Sequence, residues 1–152
     1  MSAPNFDDLP GLLGREFGPT PFLLVDQARI NAFADATDDH QWIHVDPARA
    51  AAGPFGGTIA HGYLTLSLLV RLVGELGVLP EGAGAVINYG LERLRFPAPL
   101  PSGSRVRLKA HVDGVAPKGE GRYLVTLHCE VEAEGSATPV LVADVLYLVI
   151  RG

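Results

Sequence analysis

An α+β fold is predicted for this chain of 152 residues, and three observations carry the expectation. A long helical pattern from about His61 to Leu76 is apolar nearly all round. After Pro80 the chain turns to segments of alternating polar and apolar residues. Short, glycine-containing connections at 113–122 and 134–139 join those segments, as in antiparallel hairpins. A helix apolar on most sides is buried, and a sheet wrapped around it would cover both apolar surfaces.

Each element follows from local chemistry. Residues 1–15 read as an irregular arm. Pro21 to Val25 is a short apolar run that fits a strand. Asp26 is a good cap for a helix over Gln27 to Thr37, with Ile30, Phe33 and Ala34 at helical spacing. Asp38 to Val45 reads as loop, and Asp46-Pro47 as a cap followed by proline at the first helical position. Glycines in 53–57 separate that short helix from the long one, in which Leu64, Leu68, Leu72 and Leu76 recur every fourth residue before Gly77 stops it. Strands are expected at 85–96, 105–112, 123–134 and 140–150, as an antiparallel meander. Pro97, Pro99 and Pro101 interrupt the first two.

Composition bounds the function. A hydrophobic fraction of 47% with 19% charged residues suits one globular domain spanning 1–152. The formal net charge of −5 argues against a general nucleic-acid binder, which would need a basic face for phosphates. Cys129 is the lone cysteine, so no disulfide forms within the chain. Asp7 and Asp8 lie in an N-terminus without an apolar run, so neither signal peptide nor membrane span is expected, and a cytoplasmic location is the default.

Titratable groups and flexible backbone concentrate in one stretch. Asp39 and His44 share a loop, followed by Gly53-Pro54-Phe55-Gly56-Gly57, then His61-Gly62 and a helix carrying Ser67. An acid and an imidazole beside a glycine at a helix start could form a proton-transfer pair next to an oxyanion site. Taken alone, such an acid and imidazole are more often loop-capping groups than catalysts. His40, His44 and Asp46 have a spacing open to a metal, but nothing further completes a site, and none is expected. His61 reads as a structural hydrogen-bonder at the start of the helix. Ser67 could bond back to its own helix or face the site. Arg93, Arg95, Arg105, Arg107 and Lys109 read as a solvated sheet face, from which one or two could meet phosphates.

The run from Phe33 to Pro47, together with Ile59-Ala60-His61-Gly62-Tyr63-Leu64-Thr65-Leu66-Ser67, resembles the hydratase-2 signature of MaoC-like (R)-specific enoyl-CoA hydratases. Ile87-Asn88-Tyr89-Gly90 and Arg93 to Pro99 are similar to the single-domain, nodulation-protein-N-like branch. The resemblance covers about residues 15–150. It implies a hot-dog fold, a homodimer, and reversible hydration of trans-2-enoyl-CoA to (R)-3-hydroxyacyl-CoA. No cofactor is implied beyond the coenzyme A of the acyl-CoA substrate. Carried over by position, Asp39 and His44 become the acid–base dyad and Gly62 the oxyanion glycine, with Ser67 in support. Gln41-Trp42 stands where many members carry Asn-Pro. Gln41 can still donate a hydrogen bond to substrate, while Trp42 is expected to alter the loop and the pocket wall. The rival readings are a 3-hydroxyacyl dehydratase acting on carrier-protein thioesters, a hot-dog thioesterase, and a non-catalytic acyl-binding subunit.

Overall fold

Fourfold recurrence of leucine decides where the long helix sits. In the computed structural model, which describes residues 2–152, helix α4 spans Gly62–Leu76 and buries Leu64, Thr65, Leu68, Leu69, Leu72 and Val73. Gly77, at φ +63°, ends it in the left-handed conformation that glycine adopts without strain. A six-stranded antiparallel sheet curls around this helix. Its strands are β1 (Glu16–Phe17), β2 (Leu23–Val25), β3 (Ala83–Arg95), β4 (Ser104–Pro117), β5 (Arg122–Ala133) and β6 (Leu141–Arg151). Val106, Leu108, Val125, Leu127, Cys129, Leu141 and Val149 close the core beneath α4, and burial pushes the Cys129 thiol up to about 12. The architecture is the expected α+β hot-dog.

Sheet order differs from a simple meander. β4, β5 and β6 follow one another, but β3 lies outside β6 rather than beside β4. After Arg95 the chain leaves the sheet through a proline-rich stretch that cannot supply a regular hydrogen-bond ladder. That stretch is held at the start of α4, where Ala60 N–H donates to the Leu100 carbonyl at 2.8 Å and Ile59 bridges Pro101. β4 therefore begins on the far side, with its outer edge taken by β1 and β2. Long-range pairing of this kind leaves no local trace in the sequence.

The arm read as irregular is partly regular. A 3-10 helix over Phe6–Leu12 drives Leu9 and Leu12 into the core, and β1 follows at Glu16–Phe17. The expected helix over 27–37 is α1, Gln27–Thr37, whose cap Asp26 accepts from Arg29 N–H at 2.9 Å. Within the stretch read as loop, Trp42–Val45 winds one short helix, α2, and Pro47–Ala51 forms α3. On the outer sheet face, Arg105 pairs with Glu134, and Arg107 and Lys109 with Glu132. Arg93 and His128 instead converge on Asp144, whose side chain is only 1% exposed. Burial opposes ionisation of Asp144, but hydrogen bonds from His128 and Arg93 outweigh it and hold its carboxyl below the usual range. Among the described residues, no helix is long and apolar enough to cross a membrane.

Docking of the arm is checked by Leu9→Ala. With Leu9 fully buried, the substitution removes about 2–5 kcal/mol from unfolding free energy in urea titration. An undocked arm would leave the midpoint unchanged.

Candidate active site

Two backbone devices bring the acid and the imidazole together. α1 ends at Asp38, which takes a left-handed turn at φ +59° and sends Asp39 across the start of α4. The short helix α2 then carries His44 inward, to 7% exposure. Residues 58–60 strap this helix to the proline-rich stretch: Ile59 N–H donates to the Ile43 carbonyl at 3.0 Å, and Ser102 N–H to the Thr58 carbonyl at 2.9 Å. Gln27 of α1 locks the strap. Its amide donates to the His44 carbonyl at 2.7 Å, and its side-chain oxygen accepts from the Thr58 hydroxyl at 2.6 Å.

The protonation pattern follows from these bonds. His44 Nδ1 lies 2.7 Å from the Ile59 carbonyl, and a carbonyl can only accept. Nδ1 therefore carries the proton, and the neutral ring presents its lone pair at Nε2. Burial pushes the His44 pKa below its ordinary value, and His61 adds to this, while the Ile59 hydrogen bond and Asp39 act against it. His61 is 3% exposed, stacks on His44 with ring centroids 3.8 Å apart, and places Nε2 2.9 Å from the Asp39 backbone carbonyl.

Asp39, His44 and His61 each offer a nitrogen or carboxylate oxygen within 4.8 Å of the others. That separation suits one water hydrogen-bonded to two of them at once. It is also a spacing that a metal ion could bridge, but His61 Nε2, the nitrogen 3.9 Å from the Asp39 carboxylate, already serves the Asp39 carbonyl. The trio His40, His44 and Asp46 does not assemble. His40 pairs with Asp35 at 2.8 Å, and Asp46 caps α3 by accepting from Arg49 N–H.

Asp39, His44 and Gly62 line one cavity of about 460 Å³ with Phe33, Thr37 and Phe96. Gly62 is the first residue of α4, where a backbone N–H has no acceptor within the helix and the helix dipole is positive. A Cβ on Gly62 would meet three ring carbons of Phe96 at 3.2 Å, so glycine lets the aromatic wall close over this amide. The other two expected residues lie elsewhere. Gln41 is exposed at the start of α2, its N–H 3.5 Å from an Asp39 carboxylate oxygen, and does not line the cavity. Ser67 donates to the Tyr63 carbonyl at 2.7 Å and lines a separate groove with Val70, Asn88, Tyr89 and Leu91. Trp42 turns away from the cavity, packing on Gly53 beneath the Arg49 guanidinium, 4.5 Å from its ring.

Gln27 and Phe96 were not foreseen. Gln27 acts on His44 from 17 residues away, a contact that no local pattern signals. Phe96 could have been suspected from its place just before the prolines, since an aromatic residue there has no sheet partner.

Three comparisons with known proteins bear on the family and the fold. The family described as MaoC like domain matches residues 9–133. The chain is 51% identical over 137 residues to 3-hydroxyacyl-thioester dehydratase Z of Mycobacterium tuberculosis, covering 90% of each chain. It is 44% identical over 140 residues to Nodulation protein N of Rhizobium leguminosarum bv. viciae, covering 90% of this chain and 86% of that one. Among solved structures, the MaoC-like dehydratase from Rhodospirillum rubrum superposes with a TM-score of 0.75 at 27% identity, covering 92% and 93% of the two chains. The (R)-hydratase from A. caviae gives 0.69 at 25% identity, over 89% and 94%.

Two histidines should titrate in opposite directions in one proton NMR experiment. His44 is held below its ordinary value of 6.5, chiefly by burial, and His40 is raised above it by its bond to Asp35. A His44 midpoint at or above 6.5 would contradict the buried environment described here.

Proposed function

The chain belongs to the MaoC-like domain family, whose relatives are hydro-lyases, and from that premise we propose that it reversibly hydrates trans-2-enoyl-CoA to (R)-3-hydroxyacyl-CoA. The observation carrying this reading is the convergence of the Asp39 carboxylate, the unprotonated Nε2 of His44 and the Gly62 N–H on one cavity. Hydration needs a water polarised for attack at C3, a proton for C2, and a donor for the negative charge on the thioester oxygen. A water bonded to Asp39 and His44 gives its oxygen to C3 and a proton to the pair. The pair returns a proton to C2 and ends in its starting state. The Gly62 N–H, backed by the α4 dipole, holds the enolate oxygen. No step requires a resident cofactor, since coenzyme A is part of the substrate.

A homodimer fits the sheet. β3 is the terminal strand, and Val86, Ile87, Tyr89 and Leu91 on it are 38–50% exposed. An uncovered apolar edge strand invites pairing with another chain, and β3 of a second copy would continue the ladder. Light scattering should return twice the chain mass.

Crotonyl-CoA and longer enoyl-CoAs provide the test, followed by loss of enoyl-thioester absorbance. Asp39→Asn and His44→Gln should each lower kcat/KM by about 10²–10⁴-fold. Because His44 must be unprotonated and its pKa is lowered, activity should persist below pH 6.5 and fall only as pH drops through the shifted value. Wild-type protein that hydrates none of these thioesters, and dehydrates none of the hydroxy products, would overturn the reading. Faster turnover of carrier-protein thioesters would move the substrate class, and thiol release from saturated acyl-CoA would indicate a thioesterase.

A further inference from the structure

Beside His44, and lining the same cavity, lies a second buried imidazole that the proposed chemistry leaves unused. His61 has three properties seldom found together in a residue that serves packing alone. It is 3% exposed, its ring stacks on His44 at 3.8 Å and 23°, and its Nδ1 is buried without a hydrogen-bond partner among the described residues. An unsatisfied buried polar atom is destabilising, and an apolar ring of similar size would avoid it. Filling space alone therefore does not account for a histidine here. Its other nitrogen does: Nε2 donates to the Asp39 carbonyl at 2.9 Å, and one imidazole thereby touches both members of the pair.

We propose that His61 is a positioning residue for the acid–base pair, its ring fixing the plane of His44 and its Nε2–H fixing the backbone that carries Asp39. This rests on the hydratase reading above for its catalytic consequence, but not for its geometry. Asp39 is exposed and follows a left-handed turn, so packing does not hold its carboxylate in place. The His61 bond anchors the backbone from which that carboxylate projects. His44 has its Nδ1 tied to Ile59, and stacking removes the remaining freedom, rotation about that bond. Two contacts from one rigid ring thus fix the relative placement of base and acid. A displacement of about 1 Å in such groups costs roughly 10²-fold in rate.

The titratable groups facing His44 are Asp39 from the loop and His61 from the start of α4, with Tyr63 lining the same cavity. Gln27 and Thr37 of α1 and Phe96 are neutral neighbours. The His61 ring is part of what keeps solvent from His44. Removing it should let the base titrate closer to its ordinary value.

Three variants separate the two contacts. His61→Phe keeps a ring on His44 and loses the donor to Asp39, His61→Gln keeps a donor and loses the ring, and His61→Ala loses both. Thermal melts with near-ultraviolet circular dichroism establish which variants fold. The NMR midpoint of His44 should rise in all three variants, which lose the His61 charge, and further in the Gln and Ala variants, which also lose the ring that covers it. kcat for crotonyl-CoA hydration should fall about ten- to hundredfold in His61→Phe and His61→Gln, further in His61→Ala, with KM nearly constant. The acid limb of kcat/KM should follow the His44 midpoint. Folded variants with wild-type His44 titration and kcat within about twofold would overturn the proposal. If the wild type hydrates no thioester, the functional reading fails alone, because the His44 midpoints are measured without substrate.

Discussion

The hydrogen bond from His44 Nδ1 to the Ile59 carbonyl is the constraint on which the site depends. It joins a one-turn helix to the strap preceding α4, and so couples two segments that have little core of their own. It also selects the tautomer, since the proton committed to Ile59 cannot reside on Nε2. The Gln27 amide on the His44 carbonyl and the Thr58 hydroxyl on Gln27 reinforce the same junction from α1. A loop of this kind would otherwise be mobile at a solvent-facing edge. Here the N–H and carbonyl of His44 and those of Ile59 are each hydrogen-bonded.

The surrounding fold supplies the second requirement, a fixed place for the helix start. α4 is clamped by its leucines inside the curled sheet, so the Gly62 amide cannot drift relative to the strap. The proline-rich stretch then returns over that start and adds Phe96 as a wall. Core packing and site geometry are therefore one construction: the helix that needs most burial is the helix whose first turn faces the cavity.

Much of this was legible because it is local. The α1 cap at Asp26, the Asp46-Pro47 start and the glycine stop of α4 are each decided by a few neighbouring residues, and each stands where it was expected. Asp39, His44 and Gly62 could be picked out from their spacing and from the family likeness, and they share the cavity. What escaped was non-local. Two-residue β1 has no periodicity to read, and burial of Leu9 depends on a core assembled from distant segments. The place of β3 depends on where a crossing ends. Asp144 was hidden inside an apolar strand, since its partners Arg93 and His128 come from other strands. Ser67 pointed to the site by position alone, and its hydroxyl instead satisfies its own helix.

Trp42 and Gly53 illustrate how this loop constrains its own history. A Cβ at position 53 would come within 2.9 Å of the indole, which is a bulky planar group rather than the tip of a flexible chain. The two positions fit together as a matched pair, eleven residues apart, on the side of the loop remote from the cavity. Substitutions there should be accepted jointly and rejected singly. In an alignment of close relatives this would surface as covariation, and a mutational library for this loop should vary positions 42 and 53 together.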